Sequence, residues 1–167
     1  MTCIVFSHGQ DGEPWGTKIV AMAEVAKRRN LPVESIDYRG MADPAARVAK
    51  LLEFCQGHAG PFVLVGSSMG GHVAAAVSSQ VNTRAVFLLA PAFFMPGYEQ
   101  YTPVAPQCRV EIVHGWNDDI VPVENSIRYA RQYKCALHIL DSDHRLTAQL
   151  DEICELFDAF LARLIRQ

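Results

Sequence analysis

Phe62-Val63-Leu64-Val65-Gly66-Ser67-Ser68-Met69-Gly70-Gly71 is the stretch on which the fold turns. Four apolar residues run into a glycine-serine turn, and the turn runs into the alanine-rich segment from His72 to Ala76. That pattern reads as strand, tight turn and helix. Within it Gly66-Ser67-Ser68-Met69-Gly70 matches G-x-S-x-G. The pattern needs small residues two before and two after the serine, because a sharp turn crowds the backbone there while it lifts the hydroxyl above the sheet. Ser67 does not fit the centre, since glycine would then be required where Val65 and Met69 stand. The helix start adds backbone N–H groups that could face a developing oxyanion. No Lys-Ser or Lys-Thr follows the glycines, so a phosphate-binding loop is not supported.

Similar short runs of branched residues recur on both sides, at residues 3–6, 33–36, 85–89, 110–113 and 136–140. With 62–65 they make six expected strands. Helical periods lie between them at residues 17–29, 44–56, 69–79 and 123–133. Strands separated by helices imply parallel crossovers. At the end of the chain Ile153, Leu156, Phe157, Phe160, Leu161, Leu164 and Ile165 form one apolar stripe, a last helix that closes the fold. Residues 91–107 have no regular period, and Pro91, Pro96, Gly97, Pro103 and Pro106 mark them as a loop. The expectation is an α/β three-layer sandwich, a mostly parallel sheet of about six strands flanked by helices, in one domain spanning residues 1–167.

Composition narrows the function classes. Half of the 167 residues are hydrophobic, and 15 basic and 18 acidic residues are mixed along the chain for a net charge of −3. Neither a basic stripe for nucleic acid nor an acidic tail stands out. No apolar run reaches the roughly 18 residues of a membrane span. The first residues lack a basic leader followed by an apolar core, so no signal peptide is expected. Five cysteines, an odd number set mostly in apolar segments, read as reduced thiols in a cytoplasmic protein. No C-x-x-C or H-x-x-x-H pair points to a metal, and no cofactor is implied.

A serine hydroxyl is a weak nucleophile and needs a base, with a third group to orient that base. Two later loops supply both. His114-Gly115-Trp116-Asn117-Asp118-Asp119-Ile120-Val121-Pro122 follows the expected strand 110–113, and Asp141-Ser142-Asp143-His144-Arg145-Leu146 follows 136–140. In a parallel sheet these strand ends open on one edge, where ligands bind. Of the six histidines, His138 lies within a strand and His58 in a glycine-flanked turn. His72 sits on the helix after Ser68, and His8 and His114 precede glycines in strand-end turns. His144 alone combines chain order with loop position. Either Asp118 or Asp119 could orient it, and Asp141 and Asp143 read as turn or capping residues.

With the His8-Gly9 turn, the Ser68 elbow and the His114-Gly115-x-x-Asp118-x-x-Val121-Pro122 segment in place, the chain resembles the α/β-hydrolase family over nearly its whole length. Two early strands and any helical cap between Leu89 and Arg109 are missing, as in the lidless branch of small carboxylesterases and acyl-protein thioesterases. The resemblance implies Ser68, Asp118 and His144 as catalytic residues and the N–H groups of Gln10 and Met69 as oxyanion hole. It implies hydrolysis of small ester or thioester substrates. A non-catalytic binding module, or a peptidase or perhydrolase on the same scaffold, is the alternative. Phe93, Phe94 and Trp116 are candidate pocket residues, and the aromatic cluster continues at Tyr98 and Tyr101.

Overall fold

The computed structural model describes residues 1–98 and 105–166. The branched and aromatic runs form β1 (Cys3–Ser7), β2 (Val33–Ile36), β3 (Phe62–Ser67), β4 (Thr83–Leu89), β5 (Arg109–Gly115) and β6 (Ala136–Leu140). Between and after them lie α1 (Thr17–Arg28), α2 (Pro44–Gln56), α3 (Met69–Ser78), α4 (Val123–Tyr133) and α5 (Leu150–Ile165). All six strands join one sheet in the order β2-β1-β3-β4-β5-β6, and every neighbouring pair is parallel. The expected elements differ from these only at their ends. β3, for example, runs on through Gly66 and Ser67 because Gly66 still pairs with Ser7 and Leu88, and Ser67 with Leu89. The described parts of the expected loop, residues 91–98 and 105–107, hold no helix or strand, and the remainder of it lies outside the described residues.

Alternation along the strands builds two separate cores, because successive side chains of a strand point to opposite faces. Ile4, Phe6, Val63, Val65, Phe87 and Val113 pack with α1 and with Phe157 and Phe160 of α5. Val5, Leu64, Val86, Leu88 and Ile112 pack with residues of α2, α3 and α4. The sheet is therefore covered on both faces, which explains why its strands read as continuous apolar runs. α2 begins where Asp43 accepts a hydrogen bond from the Ala45 N–H at 3.1 Å and Pro44 opens the first turn. α5 is tied to α1 by a paired Arg29–Asp158 contact at 2.7 and 2.9 Å. Among the described residues no helix is long and apolar enough to cross a membrane.

The strand order places the functional edge. From β1 the chain steps outward to β2, then returns to the other side of β1 as β3 and continues to β6. At such a reversal the connections leave the sheet in opposite directions, and a crevice opens beyond the carboxyl ends of the two central strands. Here those ends carry His8-Gly9-Gln10 and Ser68.

His72 on α3 is fully buried, with its ring edge-on to Tyr98 at 4.9 Å between centroids. Burial penalises the imidazolium and pulls its pKa from 6.5 down to about 4. Below pH 6.5 the unfolded chain then binds a proton there that the folded chain refuses, so stability falls with pH until about 4. The accumulated loss is on the order of 3 kcal/mol. Denaturant unfolding between pH 7 and pH 4 should show this slope in the wild type and a shallower one in His72→Leu. Equal slopes in the two proteins would contradict it.

Candidate active site

Ser68 sits where β3 ends and α3 begins, with φ 54° and ψ −119°. A non-glycine residue holds such a conformation only when its surroundings impose it. Its N–H donates to the Leu89 carbonyl at 2.9 Å, and its carbonyl accepts from the Ala92 N–H at 2.9 Å. The flanking glycines are demanded by contact. A Cβ on Gly66 would lie 2.3 Å from the Gly70 carbonyl oxygen, and one on Gly70 would lie 2.0 Å from that of Ser7. The first turn of α3 is thus pressed against the end of β1, and the serine between them is turned outward.

His144 joins Ser68 to Asp118. Its Nε2 stands 3.0 Å from the Ser68 Oγ, and its Nδ1 stands 2.7 Å from the Asp118 Oδ2. A carboxylate only accepts, so Nδ1 carries the hydrogen and Nε2 is left to accept from the serine hydroxyl. The loop that presents this ring is folded by Asp143, whose Oδ1 accepts from the N–H groups of Arg145 and Leu146 at 3.1 and 3.3 Å. Asp118 is held in turn: Oδ1 accepts from the Ile120 and Val121 N–H groups at 2.9 and 2.8 Å, and the carboxylate is fully buried. Asp119, its neighbour, is exposed and lines the mouth of the cavity.

A second histidine meets the same carboxylate. His114 Nε2 lies 3.0 Å from the Asp118 Oδ2 and 2.9 Å from the Val121 carbonyl oxygen. Both are acceptors, so this nitrogen also bears the hydrogen, and Nδ1 accepts from the Ser126 hydroxyl at 2.7 Å. Burial lowers the His114 pKa, against the raising pull of the Val121 carbonyl and Asp118. His8 is fixed in the other tautomer. Its Nε2 accepts from the Tyr38 N–H at 2.8 Å, and its Nδ1 donates to the Gly9 carbonyl at 2.8 Å. Its pKa is also lowered, mainly by burial. Both rings brace the site as neutral groups.

A cavity of about 800 Å³ opens beside Ser68, lined among others by Gly9, Gln10, Lys18, Ile120 and His144. It lies on the α1 side, away from the aromatic residues expected to form a pocket. Phe93 is buried and stacked on Tyr129 at 4.3 Å, Phe94 lies under the Arg128 guanidinium at 3.9 Å, and Trp116 is exposed. None of the three lines the cavity: the chain beyond β4 carries Phe93 and Phe94 to the α4 side of the sheet, and Trp116, after β5, faces outward. Of the aromatic residues that continued that cluster, Tyr101 lies outside the described residues.

Two cations escaped the sequence reading. Lys18 reaches from the first turn of α1 to the Ser67 Oγ at 3.2 Å, and burial lowers its pKa. Arg47 is almost completely buried behind the loop that follows β1. Its signal was present, since Arg47 falls on the buried stripe of α2 with Leu51 and Cys55, one and two turns on.

The model of the alpha/beta hydrolase family matches residues 4–165. No curated protein matches the chain. Among solved structures, a candidate hydrolase of the alpha/beta superfamily from Xanthomonas campestris pv. campestris is 33% identical, covering 97% of this chain and 98% of its own, with a TM-score of 0.88. Est1E from Butyrivibrio proteoclasticus is 21% identical over 99% of this chain and 88% of its own, with a TM-score of 0.81. XC6422 from Xanthomonas campestris, a serine hydrolase without a lid, is 13% identical over 97% and 81% of the two chains, with a TM-score of 0.74, a likeness of fold alone. On its sequence, and on the sheet and elbow that sequence builds, the chain belongs to the alpha/beta hydrolase family.

Proposed function

We propose that the protein is a serine hydrolase that cleaves carboxylic ester or thioester bonds of small substrates through an acyl-enzyme on Ser68. One observation carries this reading: the unbroken line of contacts from the Ser68 hydroxyl through His144 to the buried Asp118, at 3.0 and 2.7 Å. His144 Nε2 takes the hydroxyl proton as Ser68 attacks the carbonyl, and Asp118 holds the ring in the tautomer that leaves Nε2 free to do so. The N–H groups of Gln10 and Met69 receive the charge that develops on the carbonyl oxygen. His144 then delivers its proton to the leaving alcohol or thiol, and water, activated by the same ring, releases the acid. Gly9 supports this arrangement, since a Cβ there would come 3.5 Å from the Ser68 Cβ, which sets the Gln10 loop directly against the nucleophile. Met69 opens α3, so its N–H has no carbonyl within that helix to bond. The free thiols of the five cysteines suit a reducing, cytoplasmic setting.

Hydrolysis of p-nitrophenyl esters from acetate to palmitate tests the proposal. Ser68→Ala should lower kcat by on the order of 10⁴-fold or more while the fold is retained. Asp118→Asn should lower it by about 10⁴-fold, because an amide no longer enforces the tautomer. The chain-length optimum of the wild type measures the acyl space beside Ser68. Turnover undiminished in Ser68→Ala would refute the acyl-enzyme.

A further inference from the structure

Arg47 is 1% exposed, and among the described residues no carboxylate lies within ion-pairing distance of it. A guanidinium stays charged in a protein and is expensive to bury, and among the described residues the Asp11 carboxylate favours its charge without pairing with it. Burial indeed pulls the Arg47 pKa below its ordinary value. An apolar residue at this position of α2 would pack without that cost, so the cation calls for a reason beyond packing.

Its hydrogen bonds supply one. Nε donates to the Met41 carbonyl at 2.7 Å. Nη1 donates to the carbonyls of His8 at 3.0 Å and Gly9 at 3.1 Å, and Nη2 to that of Gln10 at 3.2 Å. Three consecutive carbonyls of the loop after β1 are thereby turned toward one buried cation. The middle one matters most, because the Gly9 carbonyl and the Gln10 N–H belong to the same peptide unit. In a trans peptide the two point in opposite directions. That carbonyl accepts from Arg47 Nη1 at 3.1 Å, from His8 Nδ1 at 2.8 Å and from the Gly12 N–H at 3.2 Å, so the Gln10 N–H faces away from these donors. Gly9 and Gln10 also line the cavity that holds Ser68. A carbonyl that accepts from a cation polarises its amide, which makes the N–H of that unit a stronger donor. Tyr38 completes the support: its ring lies 5.0 Å from the guanidinium, its N–H donates to His8, and its hydroxyl is 3.0 Å from the Ser7 Oγ.

We infer that Arg47 is a positioning residue for oxyanion stabilisation, its buried guanidinium orienting and polarising the Gly9–Gln10 peptide so that the Gln10 N–H is presented to the charge formed when Ser68 attacks. This rests on the acyl-enzyme reading above and adds to it a residue that touches neither substrate nor nucleophile. A group acting in this way stabilises the transition state and leaves ground-state binding unchanged.

The experiment compares wild type, Arg47→Met, Arg47→Lys and Ser68→Ala, with melting temperatures measured for each. Steady-state hydrolysis of a p-nitrophenyl ester gives kcat and KM. Binding is measured for an aryl trifluoromethyl ketone, which adds to a serine to give a charged tetrahedral adduct, and for the unreactive ether analogue of the ester. Arg47→Met should lose on the order of 10²-fold in kcat with KM changed by no more than about 3-fold. Its affinity for the ketone should fall by the same factor as kcat/KM, and its affinity for the ether should not. Arg47→Lys, which keeps the charge with fewer donors, should recover part of the loss, and it carries the test alone if Arg47→Met does not fold. Unchanged kcat, or ketone and ether affinities that fall together, would overturn the assignment. Activity persisting in Ser68→Ala would overturn the acyl-enzyme reading itself, whereas an inactive Ser68→Ala beside a fully active Arg47→Met would overturn only the role of Arg47.

Discussion

The close approach of the first turn of α3 to the end of β1 constrains everything else at the carboxyl edge of the sheet. Hydrogen would be the only substituent with room at Gly70, where a Cβ would meet the Ser7 and His8 carbonyl oxygens at 2.0 and 2.5 Å. With helix and strand pressed together, the chain between them bends through a conformation that costs about 1–3 kcal/mol at a non-glycine residue. That residue is Ser68, and the cost is offset by its bonds to Leu89 and Ala92 and by the cores on both faces of the sheet. The same contact brings the Gly9–Gln10 loop beside the serine. The outward turn at Ser68 and the nearby N–H groups are therefore consequences of one packing constraint.

Around that turn the hydrogens of His144, His114 and His8 are assigned by their neighbours. Asp118 accepts from two backbone N–H groups and from two histidines, His144 and His114. His8 and His114 are set in opposite tautomers by a backbone N–H on one side and a carboxylate and carbonyl on the other. Such a network resists reorganisation, and under the proposed reaction, in which charge would move from Ser68 toward a carbonyl oxygen, fixed dipoles of this kind are most effective. Lys18 and Arg47 add two sunken cations, one against Ser67 and the other behind the Gln10 loop.

Most of the fold was legible because short apolar runs rich in branched residues alternate with stretches of helical period along the chain. Ser68 and His144, read from motif and loop position, and Asp118, implied by the family resemblance, are the residues that the structure brings into contact. Beyond the motif spacing of the family, nothing in the sequence separates Asp118 from Asp119. The structure does so through the turn at Ile120 and Val121, which points the first carboxylate inward and leaves the second exposed. The candidate pocket residues Phe93 and Phe94 lie away from the cavity beside Ser68 for a physical reason. Phe93 and Phe94 are apolar and follow β4, but apolarity indicates burial and not the face of the sheet, and Tyr129 of α4 takes Phe93 into the opposite layer. Arg47 was missed because a charge on an apolar helix stripe is ordinarily a solvated side chain reaching past its neighbours. Only the three carbonyls of the β1 loop reveal why it is buried.

The claim on which the account stands is that His144 and Asp118 activate Ser68. Its most direct measurement is reaction of the folded protein with a fluorophosphonate, followed by peptide mass spectrometry to locate the adduct. One adduct is expected, on Ser68, formed rapidly in the wild type and strongly suppressed in His144→Gln. No adduct, or one that forms as fast without the histidine, would contradict it.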